Sequence, residues 1–180
     1  MIQITATRSG GEPSGDVMFA ELFDEHAHPL HRYLARRVGV DVADDLVSET
    51  FLAAMRGEEN YDPDKGSAVG WLYGIATNLL RGHAKREVRL LRTAERYGVD
   101  LGVAESLEHT VVTRIDARSH LRRIARELAR MPQADRDLLL LTSLAGLSVQ
   151  EAAEALDLNP GTARSKLHRL RAKLKEVEHA

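Results

Sequence analysis

The first candidates for chemistry are three histidines and two acids near the N-terminus, which together have the ligand types of a metal site. The set consists of Asp24, Glu25, His26, His28 and His31. On a helix, His26 and His28 point about 200° apart, so they cannot converge on one ion. We therefore predict a polar helix face here and no metal site.

Other patterns that support catalysis are incomplete. The chain has no cysteine, which excludes thiol catalysis, Cys-ligated zinc and disulfides. Gly10 and Gly15 have the spacing of a phosphate-binding loop, but Asp16-Val17 follows where Lys-Ser/Thr is required. No His-Glu-x-x-His pair occurs, and no Ser/His/Asp arrangement stands out. We predict no catalytic residue and no cofactor.

Basic residues are clustered, although the net charge is only −2. Residues 1–62 are acidic, with 12 acids and 5 bases. Six bases fall within residues 81–96, and six more, with no acid, fall within residues 159–175. An acidic stretch, residues 97–117, separates them. Two such clusters predict two contact sites for a polyanion such as nucleic acid, although either cluster alone is also typical of a solvated helix face.

Length and composition favour two small helical domains. The 180 residues, 20.0 kDa, suffice for one medium domain or two small ones. Leu and Ala far outnumber Val and Ile, which favours helices over strands. No apolar window is long enough to span a membrane, and no signal peptide is present, so we expect a soluble, cytoplasmic, all-α protein. Each domain of about 70 residues would be marginally stable alone, and docking on a partner would help to hold it.

The domain boundaries follow from composition and periodicity. Residues 1–16 are rich in Gly, Ser and Thr and predict a disordered tail. Residues 93–117 contain glycines and have weak periodicity, which predicts a linker. The helical domains are then expected at residues 17–92 and 118–178.

Three helices are predicted in the first domain. Apolar residues at helical spacing from Phe19 onward predict a first helix, which Pro29 should kink or divide. A second helix is predicted at residues 42–56, with Asp41 as its cap. Ser67 is expected to cap the third helix.

A helix-turn-helix is predicted in the second domain. Ser148 and Glu151 have the spacing of a capping box, which opens a short helix. The three residues from Asp157 to Asn159 predict a tight turn, with Asn159 as the cap and Pro160 at the first position of a longer, basic helix. A short helix, a tight turn and a basic helix together are typical of DNA-binding proteins.

The basic helix has one apolar face and one face suited to DNA. Its inward residues are Ala163, Leu167, Leu170 and Leu174. The opposite face has small residues along its middle, so the helix could enter a major groove, where Arg164, Ser165 and Arg169 would reach base edges. Lys166 and Lys173 lie at the margins of this face, where phosphates would lie. A surface helix of an ordinary bundle is the alternative.

Two further helix faces are candidates for contact with other molecules. On the second helix, Asp45, Glu49 and Leu52 point outward, and a Leu exposed among acids is a modest sign of protein docking. The third helix carries a polar stripe near Trp71, which is expected to be mostly core: Gly74, Thr77, Asn78, Arg81 and Lys85. Bases interleaved with an Asn and aromatic residues suit unpaired nucleotides.

Four stretches of the chain resemble one family in order and spacing. Residues 44–54, Asp-Asp-Leu-Val-Ser-Glu-Thr-Phe-Leu-Ala-Ala, and 71–81, Trp-Leu-Tyr-Gly-Ile-Ala-Thr-Asn-Leu-Leu-Arg, resemble domain 2 of bacterial extracytoplasmic-function sigma factors. Residues 147–153, Leu-Ser-Val-Gln-Glu-Ala-Ala, and 161–169, Gly-Thr-Ala-Arg-Ser-Lys-Leu-His-Arg, resemble domain 4. The resemblance covers about residues 17–176.

This resemblance implies a transcription initiation factor that brings bacterial core RNA polymerase to promoter DNA, with its two domains on a flexible linker. The residues that would bind core polymerase are Asp45, Glu49 and Leu52. Melting of the −10 element and capture of its unpaired strand would fall to Asn78, Arg81, Lys85 and Arg86. Recognition of the duplex −35 element would fall to Thr162, Arg164, Ser165, Lys166, His168 and Arg169.

The resemblance also implies a cytoplasmic protein of the stress response, without membrane insertion, and leaves open an anti-sigma factor as a further partner. Ser48 stands where many members have Gln, and Gly82 is expected to loosen the third helix beyond Asn78. The alternative hypothesis is a stand-alone helix-turn-helix regulator whose N-terminal bundle dimerises or senses a ligand. A helical metalloenzyme is a third and more remote possibility.

Overall fold

The computed structural model describes the backbone of residues 15–96 and 115–179, and within them all regular structure is helical, as predicted. The N-terminal domain contains α1 (Gly15–Val38), α2 (Val40–Arg56), a 3-10 turn (Glu58–Asn60) and α3 (Ala68–Arg96). The C-terminal domain contains α4 (Ile115–Arg130), α5 (Gln133–Ser143), α6 (Val149–Ala155) and α7 (Pro160–His179). In this part of the chain, no helix is long and apolar enough to cross a membrane.

Parts of the predicted tail and linker lie outside the described residues, which omit 1–14, 97–114 and 180. At the predicted boundaries, helices extend further than expected. Gly15 and Asp16, assigned to the tail, begin α1, and α3 continues to Arg96.

The N-terminal domain packs α1 against α2 and α3 around a core of aromatic and aliphatic side chains. The rings of Tyr33 and Tyr73 lie 5.8 Å apart at its centre, and both side chains are buried. Phe23 is half exposed and contacts Phe51 edge-on at 4.8 Å. On the inward face of α2, Phe51 is buried and Val47 packs against the core.

Of the two outcomes predicted at Pro29, a kink or a division, division does not occur: α1 is one helix from Gly15 to Val38, with the buried residues Leu22 and Leu30 on either side of the proline. The prediction for the start of α2 is wrong. Asp41 does not cap α2. The cap is Gly39, whose φ of 86° turns the chain sharply between α1 and α2, and Asp41 lies in the first turn of the helix.

The C-terminal domain packs its helices around a core of leucine and alanine side chains. Leu138 and Leu141 of α5, with Ala152 and Ala153 of α6, form its core together with the inner face of α7. Helix α5 ends at Ser143 with Leu144 as its C-cap, and Gly146 follows with a left-handed φ of 77°.

The two domains pack directly on each other, with α3 against α6. Two glycines of α3 allow this close approach. A Cβ added to Gly70 would lie 2.9 Å from Cβ of Glu154 and 3.1 Å from the carbonyl oxygen of Glu151. A Cβ added to Gly74 would lie 3.1 Å from the carbonyl oxygen of Ala155. The support that each small domain was expected to need thus comes in part from the other domain.

This packing makes the effect of adding a methyl group depend on position along α3. Nothing lies within 4 Å of a Cβ at Gly82, so Gly82→Ala should stabilise the chain by about 0.5–1 kcal/mol through helix propensity. Gly70→Ala gains the same stabilisation from helix propensity, but its new methyl group should push α6 away from α3. The radius of gyration of the chain should therefore increase. Urea unfolding and small-angle X-ray scattering would measure the two effects. Equal stabilisation by both substitutions, with no change in radius of gyration, would contradict this packing.

Candidate nucleic-acid interface

The helix-turn-helix is built by local side-chain capping, as predicted. The hydroxyl of Ser148 accepts a hydrogen bond from the Glu151 amide at 3.2 Å, and the Glu151 carboxylate accepts one from the Ser148 amide at 2.7 Å. Asp157 turns the chain with a φ of 54°, a conformation that Asp tolerates better than most residues. The side-chain oxygen of Asn159 then accepts from the Gly161 amide at 2.9 Å and begins α7.

Helix α7 presents the predicted face to solvent. Ala163 and Leu167 are buried, and Leu170 and Leu174 pack against the core. Most residues assigned to the −35 element are exposed: Thr162, Arg164, Ser165, His168 and Arg169. These five side chains are therefore accessible from solvent.

Two lysines of α7 are held by acids of neighbouring helices. Lys166, which was assigned to DNA, is partly buried and forms an ion pair with Asp135 of α5. Lys173 forms an ion pair with Glu127 of α4 at 2.9 Å. The hydrogen bond from Lys173 is the main cause of the lowered pKa of the Glu127 carboxyl. These acids lie on other helices, so the spacing within α7 gave no sign of them.

The outward face of α2 is exposed as predicted. Asp45 and Glu49 are exposed, and Leu52 retains 50% of its surface. Sequence analysis missed Met55, which is 55% exposed and lies three residues after Leu52 on the same helix. An i, i+3 pair of exposed apolar residues was the signal that could have found it.

The polar stripe of α3 is only partly free. Asn78, Lys85 and Arg86 are exposed. Thr77 is buried, and Gly74 lies under the backbone of Ala155, so the prediction that both belong to an open stripe is wrong. Helix α6 covers Gly74. The expected position of Trp71 is confirmed, because its ring packs against the core and lies 5.1 Å from that of Tyr61.

Arg81 of this stripe is bound to an acid of the other domain. Its Nε donates to Asp137 Oδ2 at 2.9 Å, and Nη2 of Arg37 donates to Asp137 Oδ1 at 2.9 Å. Nη1 of Arg37 also donates to the hydroxyl of Tyr33 at 2.7 Å, and burial raises the pKa of that hydroxyl. Asp137 is completely buried, so its charge depends on these two partners.

A second acid of the C-terminal domain binds the start of α3. The carboxylate of Glu154 accepts hydrogen bonds from the amide and the hydroxyl of Ser67, at 2.9 and 2.8 Å. The bond from the Ser67 amide is the main cause that lowers the pKa of Glu154. Ser67 also accepts from the Gly70 amide at 3.1 Å, which confirms the predicted cap. Neither Asp137 nor Glu154 was identified from sequence, because each has its partner far along the chain.

The described residues contain no group of three or more His, Asp or Glu side chains placed to hold a metal ion. His31 instead lies 3.0 Å from the carboxylate of Asp44.

Two family models match the chain in the same order as the two domains. The model of Sigma-70 region 2 matches residues 22–90, and that of Sigma-70, region 4 matches residues 121–174. The class of protein is therefore that of the RNA polymerase sigma factors.

Individual relatives define the group within this class. RNA polymerase sigma factor CnrH of Cupriavidus metallidurans is 33% identical, over 87% of this chain and 84% of the relative. ECF RNA polymerase sigma factor SigW of Bacillus subtilis is 26% identical, over 88% and 87% of the two chains. The chain belongs to the extracytoplasmic-function sigma factors of the sigma-70 family. The matches favour this function over the stand-alone helix-turn-helix regulator.

Solved structures agree with the fold. The structure of CnrH in complex with the cytosolic domain of CnrY has a TM-score of 0.58 and 26% identity, covering 90% of this chain and 88% of that one. RpoE of Bartonella quintana, solved with the anti-sigma factor NepR, has a TM-score of 0.59 at 20% identity, covering 91% and 97%. At that identity the second likeness concerns the fold alone.

Proposed function

We propose that this sigma factor binds core RNA polymerase and promoter DNA through three separate faces and acts without catalysis of its own. The docking face is Asp45, Glu49 and Leu52, extended by Met55. The strand face is Asn78, Arg81, Lys85 and Arg86. The recognition face is Thr162, Arg164, Ser165, Lys166, His168 and Arg169. The observation that carries the proposal is the capped helix-turn-helix with its exposed face on α7, in a chain that also matches region 2.

The charge and exposure of each face support its assignment. The docking face combines exposed apolar side chains with acids, which suits a protein surface with apolar and basic groups. The strand face has bases beside an exposed Asn. In the recognition face, Arg164 and Arg169 can bind guanine edges, while Lys166 would have to leave Asp135 to reach a phosphate.

Regulation by a protein partner is part of the proposal. The relative CnrH was solved with the cytosolic domain of CnrY bound. By analogy, we include an anti-sigma factor among the partners of this chain.

Core binding should depend on the docking face. Because Leu52 is exposed, Leu52→Ser should leave the fold intact but weaken binding to bacterial core RNA polymerase about tenfold, as expected for an apolar contact at an interface. Leu90→Ser is a matched control, since Leu90 is also exposed but lies on α3. Size-exclusion co-elution and fluorescence titration would measure both. Equal binding by the two variants would refute the assignment of Leu52.

Promoter melting should depend on Asn78. Asn78→Ala should preserve core binding and cost about 1 kcal/mol in open-complex formation, the net value of one hydrogen bond to a base edge. Permanganate reactivity of unpaired thymines would report the open complex. Asn60→Ala, a change of another exposed Asn, should have no effect. If melting by Asn78→Ala matched the wild type at several promoters, the assignment would be wrong.

Sequence preference at the −35 element should depend on Arg164. Arg164→Ala should cost about 1–3 kcal/mol on the preferred duplex and relax preference at one base position. Lys175→Ala should instead weaken binding evenly on all sequences, as loss of a phosphate contact does. Competition binding with single-base duplex variants distinguishes the two patterns. A uniform loss for Arg164→Ala would place this residue on the DNA backbone.

A further inference from the structure

One contact between charged groups of the two domains includes Arg81 of the strand face. Two guanidinium groups of the N-terminal domain, from Arg37 on α1 and Arg81 on α3, meet one carboxylate of the C-terminal domain. Each binds a different oxygen of Asp137 at 2.9 Å. Arginine binds a phosphate with the same geometry as a carboxylate, since both anions present oxygens to its N–H groups.

We propose that Arg37 and Arg81 form a binding site for a backbone phosphate of the unpaired promoter strand, and that Asp137 occupies this site in the free chain. The inference rests on the proposed function, because it takes Arg81 as part of the strand face. It adds a DNA-binding residue, Arg37, and an internal competitor for the site.

The position of Arg81 along α3 supports a phosphate at this point. Arg81 lies three residues after Asn78 and four before Lys85, so all three share one side of the helix. Asn78 and Lys85 are exposed, whereas Arg81 is covered by Asp137. A strand that follows α3 from Asn78 to Lys85 would pass over the position that the carboxylate now holds.

Arg37 is fixed in place by its own domain. Its Nη1 donates to the hydroxyl of Tyr33, four residues earlier on α1, and its guanidinium lies 5.6 Å from the centre of that ring. The ring of Tyr33 is itself buried in the N-terminal core. The guanidinium should therefore keep its orientation when Asp137 leaves, and its remaining N–H groups would need another anion.

The closed arrangement occupies one cation of the strand face, Arg81, which binds Asp137, and α6 covers the nearby Gly74. Asn78, Lys85 and Arg86 are exposed, as are the docking face and most of the recognition face. Closure should therefore permit binding to core polymerase and to duplex DNA but hinder capture of the unpaired strand. Strand capture would require the domains to separate, with the phosphate replacing the carboxylate.

The test uses the full chain and a fluorescent single-stranded 12-mer of random sequence. Asp137→Asn removes the competing charge with little change in shape, and it should raise affinity for this probe at least tenfold in an anisotropy titration. Glu176→Gln, the same charge change at an exposed position on α7, should leave affinity within twofold of the wild type. No gain for Asp137→Asn would overturn the proposal.

Separation of the domains can be followed in the same proteins, because the chain has no cysteine of its own. Glu59→Cys and Ser143→Cys place dyes at exposed positions, one in each domain. Energy transfer should fall in the Asp137→Asn background and on addition of the 12-mer to the wild type. If separation occurred without any gain in strand affinity, Asp137 would be a structural contact only, and the proposal would fail.

Second substitutions in the Asp137→Asn background test the phosphate site itself. Adding Arg37→Gln should abolish the gain, whereas adding Arg36→Gln, a change of the exposed neighbour, should not. With Arg37→Lys in place of Arg37→Gln, part of the gain in affinity should remain, because lysine keeps the positive charge but lacks the paired N–H donors of the guanidinium group. Full affinity in the Arg37→Gln double variant would exclude Arg37 from the site.

Adding Lys85→Gln separates this inference from the proposed function. Loss of affinity with Lys85→Gln but not with Arg37→Gln would leave the strand face intact and refute only the inference. If neither second substitution reduced the affinity of the Asp137→Asn variant, the strand face itself would be wrong.

Discussion

The buried carboxylate of Asp137 is the interaction on which the arrangement of the two domains depends. It belongs to the C-terminal domain, but both of its partners, Arg37 and Arg81, belong to the other. A buried charge without partners is strongly unfavourable, so this carboxylate ties the position of α5 to the surface formed by α1 and α3. The same contact occupies Arg81 of the strand face.

Packing and charge act together at this interface. Gly70 and Gly74 lie one helical turn apart on α3 and let α6 approach the backbone, while Glu154 caps the start of α3 from across the interface. Ionic and hydrogen-bonded contacts of Asp137 and Glu154 thus lie beside close backbone packing at this interface. Domains of one chain commonly move relative to one another, which is consistent with the separation proposed above.

Local patterns predicted most of the secondary structure and the exposed face of α7. The capping box at Ser148, the turn at Asp157 and the cap at Asn159 each depend on residues a few positions apart, which a sequence displays directly. The contact between the domains was not predictable in this way. Asp137 lies 100 residues from Arg37 and 56 from Arg81, and nothing in the spacing indicates that they meet. Helical periodicity placed Gly74 on the polar stripe of α3, although α6 packs against α3 at this residue.

The ion pairs on α7 have a consequence for the response of DNA binding to salt. Affinity for DNA falls with ionic strength according to the number of phosphates that protein cations neutralise, because each such contact releases counterions. Of the six bases in this helix region, Lys166 and Lys173 already have acidic partners, Asp135 and Glu127. While these pairs stay closed, at most four of the six bases can neutralise phosphates, so the slope of the logarithmic salt dependence is at most about two-thirds of that for six phosphate contacts. The domain would thus hold its promoter over a wider range of intracellular ionic strength than its six positive charges imply.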